Sequence, residues 1–143
     1  MSKVIYTAEA HVTGGRAEGH GRTSDGAVEV DLRLPREMGG EGGGTNPEQL
    51  FAIGYAACFE GAIGAVSRRQ ELEAGDVEID SKVSLSPGEE RTFVLSVELD
   101  VTLPSVEGDA AGELVREAHK VCPYSNATRG NIEVTLTANG APV

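Results

Sequence analysis

Residues 45–70, TNPEQLFAIGYAACFEGAIGAVSRRQ, are a long Ala- and Gly-rich stretch around which the rest of the fold must be arranged. The stretch begins as helices begin. Thr45 is a suitable N-cap, Pro47 fits the first turn, and Glu48 stands three residues after Thr45, as in a capping box. We therefore predict a helix over this stretch, terminated near Gly75, with small residues that allow a second helix to approach closely.

Around this helix, apolar residues alternate with polar ones, which is typical of strands with one covered face. Such alternation occurs in residues 28–34, 77–85, 93–103 and 132–138. Turn-forming residues stand beside these runs at Ser24-Asp25-Gly26, Ser86-Pro87-Gly88 and Arg129-Gly130-Asn131. Because the alternation is regular, it indicates antiparallel sheets rather than a doubly wound parallel sheet.

A second helix is predicted from about Ser105 to Val121. It must end at or before Cys122, because Pro123 excludes the preceding residue from the α region. Six residues, 39–44, are glycine except for one glutamate, and we interpret them as a flexible loop near the site. The prediction is one α+β domain covering residues 1–143.

Composition excludes several classes of function. The chain has 143 residues and a formal net charge of −11, which disfavours nucleic-acid binding and docking on anionic membranes. No apolar run is expected to approach the roughly 20 residues that span a bilayer. Glu9 interrupts the N-terminal apolar residues before they could form a signal-peptide core, so a cytoplasmic protein is expected.

Two cysteines are the residues best suited to chemistry. Two are too few for a disulfide scaffold, but they suffice for a reversible redox pair. Cys58 alone is also explained as a small buried apolar residue of the helix, where the helix dipole cannot activate it. Cys122 lies at a helix end, where a cysteine is free to move. Cys122 and His119 do not suffice as metal ligands, so no metal is expected.

Several segments resemble those of the organic hydroperoxide resistance (Ohr) proteins, a branch of the OsmC-like superfamily. The most specific is Val121-Cys122-Pro123-Tyr124-Ser125-Asn126-Ala127-Thr128-Arg129-Gly130-Asn131. The others are Thr45–Ala52, Tyr55–Phe59, Tyr6-Thr7-Ala8, Thr13-Gly14-Gly15-Arg16 and Ser24-Asp25-Gly26, so the resemblance extends over nearly the whole chain.

The resemblance implies a cofactor-free thiol peroxidase, in which antiparallel sheets pack on central helices of an intertwined homodimer. Cys58 would be the peroxidatic cysteine, Cys122 the resolving cysteine, Arg16 the activating cation and Glu48 its carboxylate partner. The substrates would be alkyl and fatty-acid hydroperoxides. The reductant would be dihydrolipoamide or a lipoylated protein, with no nucleic-acid or membrane partner.

Physical chemistry agrees with these roles, because thiolate is the nucleophile and a mid-helix cysteine needs a cation from elsewhere. Without the resemblance, Arg16 is explained as a solvated strand residue, with Arg22 an equal candidate, and Glu48 as a capping residue. Ten residues separate Glu48 from Cys58, which places them about 80° apart around the helix and roughly 15 Å apart along it. Either a long arginine bridges that gap, or the helix bends.

Two other functions are compatible with such a chain. A hydrophobic-ligand-binding protein would need the fold but not both cysteines with Arg16 and Glu48. A redox sensor would be oxidised but turn over poorly, and it would need a partner surface. Several turnovers of peroxide per chain, with a dithiol present, distinguish the peroxidase from both.

Overall fold

The computed structural model describes residues 2–143. Its Cα positions group into two compact units, one extending to Leu50 and the other covering residues 51–143. The first unit contains a three-stranded antiparallel sheet in the order β1-β2-β3. Its strands are β1 (Ala10–Thr13), β2 (Gly19–Thr23) and β3 (Glu29–Arg33), and a single helical turn, α1 (Gly15–Glu18), joins β1 to β2. The strand predicted over residues 28–34 is therefore confirmed as β3.

The glycine-rich segment that follows β3 is tied back to it by backbone hydrogen bonds. A short 3₁₀ turn, Arg36–Met38, comes first, and Gly42 then donates to the carbonyl of Leu34 at 3.0 Å. Thr45 donates to the carbonyl of Asp31 and accepts from the amide of Arg33, both at 2.9 Å. These bonds bring the chain to the start of the long helix in a defined direction.

Helix α2 (Pro47–Arg69) starts where the sequence predicts, but Thr45 is not its N-cap. The side chain of Asn46 accepts a hydrogen bond from the amide of Gln49 at 2.9 Å, which makes Asn46 the N-cap. Pro47 is therefore the first helical residue, and the capping-box position falls on Gln49 instead of Glu48. The helix ends before Gly75, because Glu71 takes the left-handed conformation at φ 54° and Leu72 donates back to Ser67 at 2.8 Å.

Helix α2 also contradicts the expectation that no apolar run is long enough to span a membrane. It has 23 residues, and by length and composition alone it is long and apolar enough to cross a membrane, because its alanines and glycines add no charge or polar side chain. A core helix of a water-soluble protein meets the same criterion. Here α2 buries Tyr55, Phe59, Ile63 and Val66 in the core of the second unit.

The second unit contains a four-stranded sheet in the order β4-β5-β6-β7. Its strands are β4 (Glu78–Pro87), β5 (Phe93–Thr102), β6 (Glu133–Ala138) and β7 (Ala141–Pro142), so the strands predicted over residues 77–85, 93–103 and 132–138 are confirmed. The prediction of purely antiparallel sheets is wrong, because β5 and β6 pair in parallel. The period-2 pattern reports which face of a strand is covered and carries no information on strand direction.

Two helices connect β5 to β6. Helix α3 (Asp109–Val121) begins four residues later than predicted, because Gly108 stands before it at φ 62°, outside the helical region. It ends at Val121, as Pro123 requires. The chain then forms helix α4 (Pro123–Thr128), which the apolar pattern of the sequence does not predict. The core of the unit is formed by α2, α3 and the inner faces of β5 and β6, including Leu99, Leu114 and Leu136.

Candidate active site

Cys58 and Cys122 lie side by side in the second unit. The Sγ atom of Cys122 donates to the Sγ atom of Cys58 at 3.6 Å, and both residues are free cysteines. Cys58 is half-buried in the middle of α2, whereas Cys122 is fully buried between α3 and α4. Cys122 has an extended backbone, with φ −61° and ψ 123°, because Pro123 follows it and opens the next helix. The chain therefore bends at the buried thiol.

The surroundings of Cys58 favour its thiol form. Burial is the main cause that raises the pKa of Cys58, and the neighbouring Cys122 raises it further. The backbone amide of Tyr124, in the first turn of α4, donates a hydrogen bond that lowers this pKa, but the net shift is upward. Because thiolate is the reactive form, Cys58 needs an additional positive charge to become a strong nucleophile.

Arg16 and Glu48 form a two-pronged ion pair in the first unit. Nη1 of Arg16 donates to Oε2 of Glu48 at 3.0 Å, and Nη2 donates to Oε1 at 2.9 Å. This geometry is the strong form of an arginine–carboxylate contact. Hydrogen bonding to Arg16 lowers the pKa of Glu48, and the same bonds raise the pKa of Arg16. Glu48 is available for this pair because Asn46 caps the helix.

Local structure explains why Arg16 is the arginine of this pair. Gly14 and Gly15 both have positive φ, at 76° and 70°, and together they lead the chain into the single turn of α1. Arg16 therefore belongs to a helical turn and not to a strand. Arg22 lies on strand β2, where its nearest carboxylate is Glu29, at 3.9 Å. The structure thus distinguishes two arginines that the sequence left equivalent.

Sequence reasoning missed a hydrogen-bonded chain of three residues near the cysteines. The Tyr55 hydroxyl is 2.8 Å from Oγ of Ser125, and that oxygen is 2.8 Å from Nδ1 of His119. Tyr55 and Ser125 are fully buried. Burial, with repulsion from Arg129, lowers the pKa of His119. No feature of the sequence brings Tyr55 and Ser125 together, because 70 positions separate them.

Aromatic rings surround the stretch of α2 that precedes Cys58. The rings of Phe51, Tyr55 and Tyr124 contact one another, with centroids 5.7–5.9 Å apart. Gly54 leaves room for Tyr124, because a Cβ atom at this position would lie 3.2 Å from the tyrosine hydroxyl. Across residues 2–143, no group of three His, Cys, Asp or Glu side chains could hold a metal ion.

Comparison with known proteins identifies the family. Residues 40–137 match the model of the OsmC-like protein family. The organic hydroperoxide resistance protein of Xanthomonas axonopodis pv. citri is 55% identical over 139 residues, covering 94% of this chain and 95% of that protein. The OhrB protein of Bacillus subtilis is 45% identical, covering 92% of this chain and 96% of its own.

Solved structures agree with the sequence matches. The organic hydroperoxide resistance protein of Legionella pneumophila has a TM-score of 0.90 at 51% identity, covering 94% of this chain and 97% of that one. The Bacillus subtilis OhrB structure has a TM-score of 0.85 at 45% identity, covering 93% and 98%. Fold and paired thiols together define a two-cysteine protein of the α+β class. The chain belongs to the OsmC-like family and, within it, to the organic hydroperoxide resistance proteins.

Proposed function

We propose that this protein is a cysteine-based thiol peroxidase that reduces organic hydroperoxides to alcohols and thereby defends the cell against oxidative stress. The observation that carries the proposal is the 3.6 Å separation of the Cys58 and Cys122 sulfur atoms. A nucleophile with a second thiol at this distance is suited to a reaction that ends in a disulfide. Membership of the organic hydroperoxide resistance proteins supplies the substrate class.

In the first step, the Cys58 thiolate attacks the outer oxygen of the hydroperoxide. A sulfur–oxygen bond forms, the oxygen–oxygen bond breaks, and the alkoxide takes up a proton to leave as the alcohol. Cys58 becomes a sulfenic acid. In the second step, the Cys122 thiol attacks the Cys58 sulfur, which forms the disulfide and releases water. Closure protects Cys58 from further oxidation to the sulfinic acid.

Arg16 supplies the cation that Cys58 lacks in this proposal. Two of its N–H groups are occupied by Glu48, which leaves three of the five in a guanidinium for the peroxide and the developing alkoxide. Glu48 itself would disfavour a nearby thiolate by charge repulsion, so its role is to orient Arg16. The same four residues, Cys58, Cys122, Arg16 and Glu48, are those that match the family's motifs.

A dihydrolipoyl group, free or on a lipoylated protein, completes the cycle by reducing the Cys58–Cys122 disulfide, and no bound cofactor takes part. We place the protein in the cytoplasm.

We further propose a homodimer, because the outer side of α2 carries exposed apolar and small residues, including Ile53, Ala57 and Gly61. Ile53→Glu should then shift the protein toward monomer in sedimentation experiments, and an unchanged dimer would contradict this interface.

Peroxide consumption by reduced protein, with dihydrolipoamide present, tests the activity. Wild type should consume cumene hydroperoxide over many turnovers and faster than hydrogen peroxide. Cys58→Ser should be inactive, whereas Cys122→Ser should react once and then stall or over-oxidise. If wild type consumes no more peroxide than a protein-free control, the peroxidase assignment is wrong, and a sensor or ligand-binding function takes its place.

A further inference from the structure

The three-residue chain Tyr55–Ser125–His119, which we call the polar chain, connects three helices around the thiol pair. Each member lies three positions from a cysteine. Tyr55 precedes Cys58 in α2, His119 precedes Cys122 in α3, and Ser125 follows Cys122 in α4. Because three positions amount to nearly one helical turn, the hydrogen bonds join the helices directly beside the sulfur atoms.

The junction of α3 and α4 needs such a connection. Cys122 is extended between the two helices, and because the extended region of φ and ψ is broad, further contacts are needed to hold α4 in one direction. Side chains supply two links across the junction. Ser125 bonds to His119, while Arg129 donates to the His119 carbonyl and, at 2.8 Å, to Asn126. The direction of α4 determines where the Cys122 thiol and the Tyr124 amide lie relative to Cys58.

Burying hydroxyl groups in a core is costly unless they are hydrogen-bonded. Ser125 and the Tyr55 hydroxyl are fully buried and spend their bonding capacity on each other, on His119 and on Thr128. An apolar pair of similar shape would pack at lower cost. Hydrogen bonds fix the orientation of the groups they join as well as their distance, and disulfide closure requires the Cys122 sulfur to be oriented toward Cys58.

We propose that His119 and Ser125 are positioning residues for disulfide closure, which hold α4 so that the Cys122 sulfur stays aimed at Cys58. This inference rests on the proposed peroxidase cycle and concerns its second step. Closure forms the sulfur–sulfur bond, breaks the sulfur–oxygen bond of the sulfenic acid, and releases water with the Cys122 proton. The sulfur atoms must approach from 3.6 Å to about 2.05 Å, so a poorly aimed thiol closes slowly.

Slow closure leaves the sulfenic acid exposed to a second peroxide, which oxidises it to sulfinic acid. The measurable quantity is therefore the ratio of sulfinic acid to disulfide after exposure to a fixed excess of cumene hydroperoxide, determined by mass spectrometry. His119→Leu removes one hydrogen bond of the polar chain and should raise this ratio about fivefold, whereas Ser125→Ala removes two and should raise it at least as much. His119→Asn should stay close to wild type, because its amide occupies nearly the place of Nδ1.

Ser67→Ala is the matched control. Ser67 is also a buried serine, but its hydroxyl donates to the carbonyl of Ile63 within α2 at 2.7 Å, apart from the polar chain. The proposal is overturned if His119→Leu and Ser125→Ala match wild type, or if Ser67→Ala has the same effect as Ser125→Ala. It is also overturned if His119→Asn fails to restore closure, because His119 would then act through its ring packing on Phe59.

A second measurement separates this inference from the peroxidase proposal. Equilibrating each protein with reduced and oxidised glutathione gives the stability of the Cys58–Cys122 disulfide without any peroxide. His119→Leu should weaken the disulfide about fivefold and Ser125→Ala at least as much, and His119→Asn should not weaken it. If wild type consumes no peroxide but shows this pattern, the peroxidase proposal fails and the positioning role stands. If the disulfide stability is unchanged while wild type is an active peroxidase, the positioning role fails alone.

Discussion

The Sγ atom of Cys122 lies 3.6 Å from the Sγ atom of Cys58, although 64 positions separate the two residues. A disulfide between them would close a long loop through the second unit. In the chain-entropy view, such a cross-link stabilises a protein by restricting its unfolded state. The oxidation state of the pair should therefore be visible in the stability of the whole molecule.

We expect oxidation to raise the free energy of unfolding by about 4 kcal/mol, the amount associated with a loop of this length. Urea unfolding of protein oxidised with one equivalent of cumene hydroperoxide, compared with protein kept in dithiothreitol, measures this difference. Cys122→Ser should show no such gain. Equal unfolding midpoints in samples that mass spectrometry shows to be disulfide-bonded would contradict the expectation.

The ion pair of Arg16 and Glu48 should make stability depend on pH in a specific direction. Because Arg16 lowers the pKa of Glu48, the folded state favours the carboxylate. The contribution of the ion pair to the free energy of unfolding is therefore present above the ordinary glutamate pKa of about 4.3. It is lost as the pH falls through the lower pKa of Glu48 in the folded state. Urea unfolding between pH 3 and 7 should show wild type losing more stability than Glu48→Gln on acidification.

Glu18→Gln is the control for this pH dependence. Glu18 is exposed in the same helical turn as Arg16, and no other side chain of residues 2–143 pairs with its carboxylate. It should lose stability on acidification as wild type does. If the free energy of unfolding of Glu48→Gln falls with pH in parallel with that of wild type, then the ion pair does not favour the charged form of Glu48 in the folded state.

Replacing Arg16 by lysine tests whether charge alone suffices. Lysine keeps the positive charge but cannot donate two parallel hydrogen bonds to both oxygens of Glu48. We expect the rate constant for cumene hydroperoxide to fall about 10- to 100-fold, the effect of losing one hydrogen bond to a charged group. Arg22→Lys, at an exposed position of β2, should leave the rate unchanged. Equal rates for Arg16→Lys and wild type would show that the reaction does not need the two parallel hydrogen bonds of the guanidinium.

The start of α2 offers a test of the capping assignment. Asn46→Ala removes the side chain that accepts from the Gln49 amide, and it should cost about 1 kcal/mol in the free energy of unfolding. Thr45→Ala removes only a side-chain contact with Gln49 and should cost less. Urea unfolding of the two variants measures both values. A larger loss in Thr45→Ala would return the N-cap to the residue that the sequence pattern suggests.

Much of the fold follows from the sequence because apolar periodicity reports which faces are covered. Strands β3 to β6 and helix α2 are all recognisable in this way. Strand β2 is not, because its two inward positions are Gly19 and Gly21, which have no side chains to produce an alternating pattern. The parallel pairing of β5 with β6 and the helical form of α4 depend on tertiary contacts.

The candidate site divides in the same way. The motifs around Cys58 and Cys122 identify both cysteines, and the resemblance to a known family supplies Arg16 and Glu48. The sequence pattern alone makes Glu48 a capping residue, because Thr45 and Asn46 are both good N-cap residues one position apart. The bonds of Ser125 to Tyr55 and His119 have no sequence signal, since they arise only when three helices meet.

The parallel pairing of β5 and β6 has a consequence for how the chain folds. A parallel pair cannot be closed by a tight turn, so the whole segment with α3 and α4 must cross over before β6 can dock. Such non-local pairing is slow. Cys122 is part of this crossover. Cys58 therefore meets Cys122 only when this crossover places α3 and α4 against α2, so the proximity of the two thiols reports that the crossover has formed.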